Sequence, residues 1–360
     1  MSKVHFINRQ SKLKSVLAEQ DLDGMLVTNL TNIRYLSGFT GSAATLLILP
    51  EKQYFISDGR YMEQSRQQIK GFERIINNDP HLKTIQNEKL IPDGLNLAFE
   101  ADFVNVTQFG DMDEFFPEVD WEPTSRMVEE IAAIKDESEI ELIREAVKIT
   151  DQTFSEIIPL LKIGATERQI ANVIRNKYYE YGDGEGFETI VAGGPNSALP
   201  HARPSDRQFK SGDFVVIDMG ALFAGYCADM TRTILIGEAT DKHREIYAIV
   251  KEAQQAGCAA IKAGVHCKIP DEATRNVITE KGYGDYFNHG TGHGIGLEVH
   301  TMPRLSQISE DTLLENYVVT VEPGIYLPDW NGVRIEDDVI VKQDGCEILN
   351  QSTKELLILK

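Results

Sequence analysis

The chain has 360 residues, long enough for two domains with separate cores. Its formal net charge of −20 at pH 7 argues against nucleic acid or an anionic membrane as a partner and suits a protein that gathers cations. No run approaches the roughly 18 apolar residues of a membrane span. The polar start MSKVHFINRQSKLK lacks a signal-peptide core, and the four cysteines form no CxxC pair, so reduced thiols, a cytoplasmic location and no structural zinc are expected.

Residues 1–127 read as an α/β domain. Leu13, Val16 and Leu17 give a helical period that leads into GMLVTNL, an apolar run of buried-strand type. TLLILP and QYFISD follow as a hairpin around Glu51-Lys52. GFTGSAAT, residues 38–45, reads as a Gly/Ser loop rather than a phosphate cradle, because it has no GK[ST]. The acidic tract VNVTQFGDMDEFFPEVDWEPTS closes the domain near Met127.

Residues 128–360 have a different rhythm. Asp136 with Glu139 forms a capping box for a long helix striped by Ile140, Ile143, Val147, Phe154 and Ile158. Thr166 with Gln169 caps a second helix that ends near Gly182. FVVIDMG and TRTILIG then read as antiparallel strands. Helices over roughly 241–263 and 271–281 come next, followed by a strand pair, VVTVEPGIYL and GVRIEDDVIV. The order is helix, helix, hairpin, twice over, which is an α+β domain with an internal pseudo-twofold repeat.

Between those last elements lies HGTGHGIGLEVH, residues 289–300. His289 and His293 are four apart, as in helical zinc sites. Gly290, Gly292, Gly294 and Gly296 exclude the helix, since each would cost it about 1 kcal/mol. A loop running into a strand is expected, with Ile295, Leu297 and Val299 on one face.

Each hairpin of the second domain carries two acids. Asp218 ends one strand of the first and Asp229 precedes its partner. Glu322 interrupts a strand of the second and Glu336 lies on its partner. A single acid at such a place is commonly a turn cap, and Asp213 and Asp338 are read that way. Four acids in matching places need a cation, because a buried, unpaired carboxylate costs several kcal/mol. Only Arg232 and Arg334 lie nearby in sequence. Two divalent ions balance four carboxylates, with His293 as a nitrogen ligand. Such an oxygen-rich set suits Mn(II) first, then Co(II) or Fe(II), with Zn(II) less favoured. Two ions sharing a water do hydrolytic chemistry. No lysine occurs between residues 282 and 341, which argues against a phosphate ester as substrate.

The succession Asp218, Asp229, His293, Glu322, Glu336, carried by IDMG, ADMTRT, HGTGHGIGLEVH, VEPGIY and VRIEDD, resembles the ligand set of the pita-bread metallopeptidases. That group holds methionine aminopeptidase, prolidase and aminopeptidase P. The front domain, with TNIRYLSGFTGSAAT and DGRY, resembles the creatinase-like N-terminal domain of Xaa-Pro peptidases. The resemblance implies that Asp229 and Glu336 bridge two ions, Asp218 completing one and His293 with Glu322 the other. Glu322 would also move the proton, His289 and His300 would donate to the oxyanion, and His201 in SALPHARP would orient the substrate. Arg334 would fix a ligand or substrate carboxylate. The implied substrate is a peptide with proline in second position and the implied assembly a homodimer. The implied activity is of aminopeptidase P type. A prolidase restricted to dipeptides is the alternative, and a non-catalytic binding module on the same fold the distant one. The chain departs from the usual VHExP at Thr301. Tyr226 and Tyr326 are read as packing residues, His81 and His243 as incidental.

Overall fold

The computed structural model describes residues 5–360. They divide between Ala132 and Ala133 into two compact units. The division falls at the end of the helix Met127–Ala133, whereas the expected boundary is at its start.

The first unit is built on a six-stranded sheet in the order Glu73–Ile76, Gln53–Ser57, Thr45–Ile48, Gly24–Val27, Asn96–Glu100, Asp120–Thr124. Thr45–Ile48 runs antiparallel to both neighbours and the other pairings are parallel. Leu26, Leu47, Ile56, Leu97, Phe99 and Trp121 pack into its core. The GMLVTNL run is strand only as far as Val27. Glu100 accepts the Thr28 and Asn29 amides at 2.6 and 2.7 Å. Asn29 then caps the helix Leu30–Ser37 by accepting the Thr31 amide at 3.0 Å. The acidic tract supplies the helix Val106–Phe115 and the edge strand Asp120–Thr124.

In the second unit the paired helices are Glu137–Ile157 with Glu167–Tyr181, and Asp241–Ala260 with Lys268–Glu280. Asp136/Glu139 and Thr166/Gln169 form reciprocal capping boxes at the first two. A four-stranded sheet holds Asp213–Met219 between Met230–Ile236 and Ile190–Gly193. Its alternate side chains go to different helix pairs. Val215, Ile217 and Ile234 meet Ile149, Ile170 and Ile174, while Phe214 and Leu235 meet Ile246, Val250 and Ile278. Burial on both faces is why these strands read as continuous apolar runs.

The second hairpin is not one ladder. Val318–Val321 pairs with Asp337–Lys342, and Gly324–Leu327 pairs with Asn331–Arg334 in a separate two-stranded sheet. The chain switches partner at Glu322-Pro323 and again at Ile335-Glu336. Pro323 has no N–H to give a ladder, which fixes the break. Residues 295–300 also depart from expectation: the strand there is Gly292–Gly294, and a bend separates it from Thr301–Leu305.

Candidate active site

The partner switches bring the acids together. Asp218 stands opposite Thr231 in the first hairpin, and Asp229 lies just before that strand. Val321 stands opposite Asp337 in the second, so Glu322 and Glu336 sit just beyond the ends of that ladder. The Glu336 amide donates to the Thr231 carbonyl at 3.1 Å, which stitches one hairpin to the other. His293 reaches the same place from the neighbouring strand Gly292–Gly294.

Asp229, His293 and Glu336 offer ligand atoms that all lie within 4.8 Å of one another. His293 Nε2 is 3.7 Å from Asp229 Oδ2 and 3.4 Å from Glu322 Oε1. Its Nδ1 lies 3.0 Å from the Gly294 carbonyl. That contact places the proton on Nδ1 and leaves the Nε2 lone pair facing the carboxylates, the tautomer a metal ligand requires. Asp218 Oδ2 accepts from Arg334 Nη2 at 2.5 Å. Glu336 Oε2 accepts from Thr231 Oγ1 at 2.6 Å. Asp218 Oδ1, Asp229 Oδ1 and Glu336 Oε1 are buried with no hydrogen-bond partner.

These orphaned oxygens are the test of whether the residues fit a cation. Buried acceptors are nearly always satisfied. The unsatisfied oxygens of Asp229 and Glu336 beside the His293 Nε2 lone pair, with Asp218 Oδ1 also unpaired, are donors of the kind a hard divalent ion takes. The electrostatics agree. Burial raises Asp229 and Glu336 well above the carboxylate range, and repulsion among the acids adds to it. Burial also lifts Glu322 to about 8, against the opposing pull of Arg334. Burial pushes His293 down to about 4, so its ring is neutral.

The arginines are spoken for. Arg232 pairs with Asp337 at 2.7 Å and donates to the Glu336 carbonyl, holding the strand rather than neutralising the cluster. Arg334 gives Nε to Thr231 Oγ1 at 3.0 Å, Nη2 to Asp218, and Nη1 to Tyr326 Oη and the Pro200 carbonyl at 2.9 and 3.3 Å. It therefore fixes the Asp218 carboxylate and has no fork left for a substrate carboxylate. Asp213 is bidentate with Arg207 at 2.7 and 2.9 Å, away from the cluster. Asp338 Oδ2 takes the Asp229 amide at 2.9 Å and so sets the path of the backbone at Asp229.

The other histidines surround this centre differently. His289 has both ring nitrogens engaged, Nδ1 with the Gly290 carbonyl at 2.8 Å and Nε2 with Tyr326 Oη at 2.9 Å. It is a fixed wall and not the free donor expected from the sequence. Burial and then Arg334 push it down to about 4. Tyr326, read from sequence as packing, links Arg334 to His289; no sequence pattern marks it, because its strand is apolar throughout. His300 is exposed and lies edge-on to His293, with ring centroids 4.4 Å apart. His201 is exposed on the loop that carries Pro200, close enough for its charge to depress both His289 and His300. Tyr226 donates to Glu139 at 3.1 Å and His243 caps a helix through Thr240, neither of them at the cluster.

The glycines of the loop serve the backbone. A Cβ on Gly292 would lie 2.0 Å from the Thr320 carbonyl oxygen, and one on Gly294 would lie 1.9 Å from that of Met302. Only glycine lets the His293 strand come this close to its neighbours.

A helix-flanked double hairpin with an acid and imidazole cluster at its joint defines a metal-dependent hydrolase. Comparison with known proteins gives the family. Residues 141–343 match metallopeptidase family M24, and residues 9–134 match the creatinase/prolidase N-terminal domain. The chain belongs to family M24 and is a metallo-exopeptidase. It is 36% identical to the Xaa-Pro dipeptidase of Pyrococcus horikoshii, over 96% of this chain and 98% of that one. The solved structure of an Xaa-Pro dipeptidase from Bacillus anthracis superposes with a TM-score of 0.94 at 41% identity, covering 99% of this chain and 100% of that one. An X-Pro aminopeptidase from Thermotoga maritima superposes with a TM-score of 0.88 at 37% identity, covering 97% and 100%. No helix among the described residues is long and apolar enough to cross a membrane.

Proposed function

We propose that this chain is an Xaa-Pro dipeptidase, hydrolysing the bond between an N-terminal residue and proline in dipeptides. The cluster of orphaned carboxylate oxygens around His293 carries the hydrolytic part of this reading. The names of the similar proteins carry the substrate. Dipeptidases from Pyrococcus horikoshii and Bacillus anthracis lie among the relatives, which favours the dipeptide over the aminopeptidase P type of substrate expected from the sequence. The Thermotoga maritima relative is the observation that keeps the aminopeptidase as the second reading.

Asp218, Asp229, His293, Glu322 and Glu336 are the residues that would hold two divalent ions, Mn(II) by preference for this donor set. When bound, such ions polarise a carbonyl and make a hydroxide available near neutral pH. Glu322 is the proton carrier: one carboxylate oxygen takes the proton of the attacking water and returns it to the proline nitrogen as that nitrogen leaves. His300, exposed beside His293, donates to the developing oxyanion. His201 bounds the pocket on the leaving side. Arg334, Thr231 and Tyr326 hold ligands and walls in place and touch no reacting atom. The peptide bond before proline lacks an N–H, so a site that grips the carbonyl and the free amine loses nothing by it.

The test is Gly-Pro against Arg-Pro-Pro, each supplied with Mn(II), Co(II) and Zn(II). Turnover of the dipeptide alone supports the dipeptidase. Efficient release of arginine from the tripeptide establishes the aminopeptidase instead, and no cleavage of either overturns both. A homodimer and a cytoplasmic setting accompany this proposal, the first checked by sedimentation.

A further inference from the structure

We infer that Glu167 is a positioning residue that holds His201 in the site by tethering both ends of its loop. The inference rests on the peptidase reading only in giving His201 a task. Glu167 is the first residue of the helix Glu167–Tyr181 and is 0% exposed. Its Oε1 accepts the Gly193 amide at 2.8 Å and Asn196 Nδ2 at 2.9 Å. Its Oε2 accepts the Ser205 amide at 2.9 Å and Ser205 Oγ at 2.6 Å. One carboxylate thus closes the stretch 193–205 on itself. The helix start reinforces the closure, because the Glu167 and Arg168 amides donate to the Arg207 and Ser205 carbonyls at 3.2 and 3.0 Å. Two of the helix's orphan donors are satisfied by the same loop.

The far side of the loop faces the site. Ser197 Oγ accepts the Gly332 amide at 2.7 Å, and the Pro200 carbonyl accepts from Arg334 at 3.3 Å. His201 follows directly and has no strand or helix of its own to hold it. A turn closed by the Ala202 amide on the Leu199 carbonyl at 3.1 Å carries it, and that turn is placed by the ends of the loop and by those two contacts.

The other half of the domain repeats the device. Asp271, 0% exposed on the helix Lys268–Glu280, accepts the Thr291 amide and hydroxyl at 3.0 and 3.1 Å, inside the loop of His289 and His293. There a guanidinium shares the charge: Arg275 is bidentate to Asp271 at 2.9 and 3.0 Å and donates to the His289 carbonyl at 2.8 Å. Arg207, whose backbone carbonyl takes the Glu167 amide, has its guanidinium committed to Asp213 instead. Glu167 is held by neutral donors, so its replacement by the isosteric amide sets an N–H against N–H donors.

The experiment is a double-mutant cycle with Mn(II)-loaded protein on Gly-Pro, using Glu167→Gln and His201→Ala. Losing hydrogen bonds to a buried charge, at about 1.5–3 kcal/mol, gives an expected fall in kcat/KM of about 10- to 100-fold for E167Q. In the H201A background the further fall is expected to be under about threefold, because residues acting through one another are not additive. Equal losses in both backgrounds would overturn the inference. Hydrogen exchange on metal-free protein gives a second readout. The Gly193 and Ser205 amides of E167Q are expected to lose protection while those of Asp213–Met219 keep it; unchanged exchange at 193 and 205 also overturns the inference. If E167Q is insoluble, Ser205→Ala takes its place in the cycle, and its smaller loss must likewise vanish with H201A. Wild-type protein inactive on Gly-Pro would sink the peptidase reading, while the exchange result would still decide the tether.

Discussion

Thr231→Val tests how the site is held without touching a ligand. Thr231 is 0% exposed. Its Oγ1 donates to Glu336 Oε2 at 2.6 Å and accepts from Arg334 Nε at 3.0 Å. Valine has the same shape, so no cavity forms and only the hydroxyl is lost. Glu336 Oε1 already lacks a partner, so the substitution removes the side-chain donor its carboxylate has. The bond from the Arg334 guanidinium is worth about 1.5–3 kcal/mol, and the bond to Glu336, whose raised carboxyl keeps its proton in metal-free protein, about 0.5–1.5 kcal/mol. Unfolding of the metal-free protein in urea is therefore expected to be easier by about 2–4 kcal/mol, after Arg334 keeps its remaining contacts. Removing a group that orients a ligand weakens metal binding by about 10- to 100-fold, which is about 1.4–2.7 kcal/mol. Calorimetric titration of Mn(II) into chelator-treated protein measures this directly. Thr231→Ser is expected to restore most of the affinity, because it returns the hydroxyl. If T231V binds Mn(II) as wild type does, Glu336 is not a ligand held by Thr231 and the argument for the site is wrong at that residue.

The metal-free protein is expected to be more stable at pH 6.5 than at pH 8. Burial raises Glu322 to about 8, and Asp229 and Glu336 move the same way. A raised carboxylate contributes stability that is full below its unfolded value and is lost as pH climbs through the folded value. His289 and His293, pushed to about 4, act oppositely only below about 6.5, where the unfolded chain takes up their protons. A urea midpoint that falls between pH 8 and pH 6.5 contradicts this. Gly292→Ala is expected to abolish Mn(II) binding and lower the melting temperature by several degrees, because its Cβ would lie 2.0 Å from the Thr320 carbonyl oxygen. A variant that melts and binds like wild type shows that the strand has room to shift. His300→Ala is expected to lower kcat by about 10²-fold or more with Mn(II) still bound; loss of the ions as well would make His300 part of their support instead.

Much of this was legible in the chain because it is written in local rules. Asp136/Glu139 and Thr166/Gln169 obey the spacing of a capping box, and both boxes form. The four acids stood out because each interrupts or ends a run of Val and Ile. The break of the second hairpin was not legible. Both halves of VVTVEPGIYL stay apolar, so alternation cannot say that Val318–Val321 and Gly324–Leu327 serve different partners. The fate of Arg334 was hidden for a related reason. Its four side-chain contacts come from Thr231, Asp218, Tyr326 and Pro200, spread over more than a hundred positions of sequence. The strand expected over Ile295–Val299 does not form: the Ile295 amide still reaches the Val318 carbonyl, but the Gly296 amide turns back to the Glu298 carbonyl and the chain bends, although Ile295, Leu297 and Val299 do pack on one core cluster as expected.

The two halves of the second unit share a plan yet differ where the chemistry needs them to. Beside the strand of Asp218 runs Ile190–Gly193, whose Ile190 stands opposite Asp218 itself and offers no donor. Beside the strand that leads to Glu322 runs Gly292–Gly294, which brings His293 to the cluster. The first half compensates with charge from the other side, since Arg334 of the second hairpin crosses to Asp218. One side of the cluster is therefore oxygen with a guanidinium behind it, and the other is oxygen with a neutral imidazole in front of it. A duplicated scaffold supplies four carboxylates at one joint. The single histidine and the single crossing arginine make the two ends of that joint chemically unequal, which is what a site must be to hold a nucleophile at one place and receive a leaving group at another.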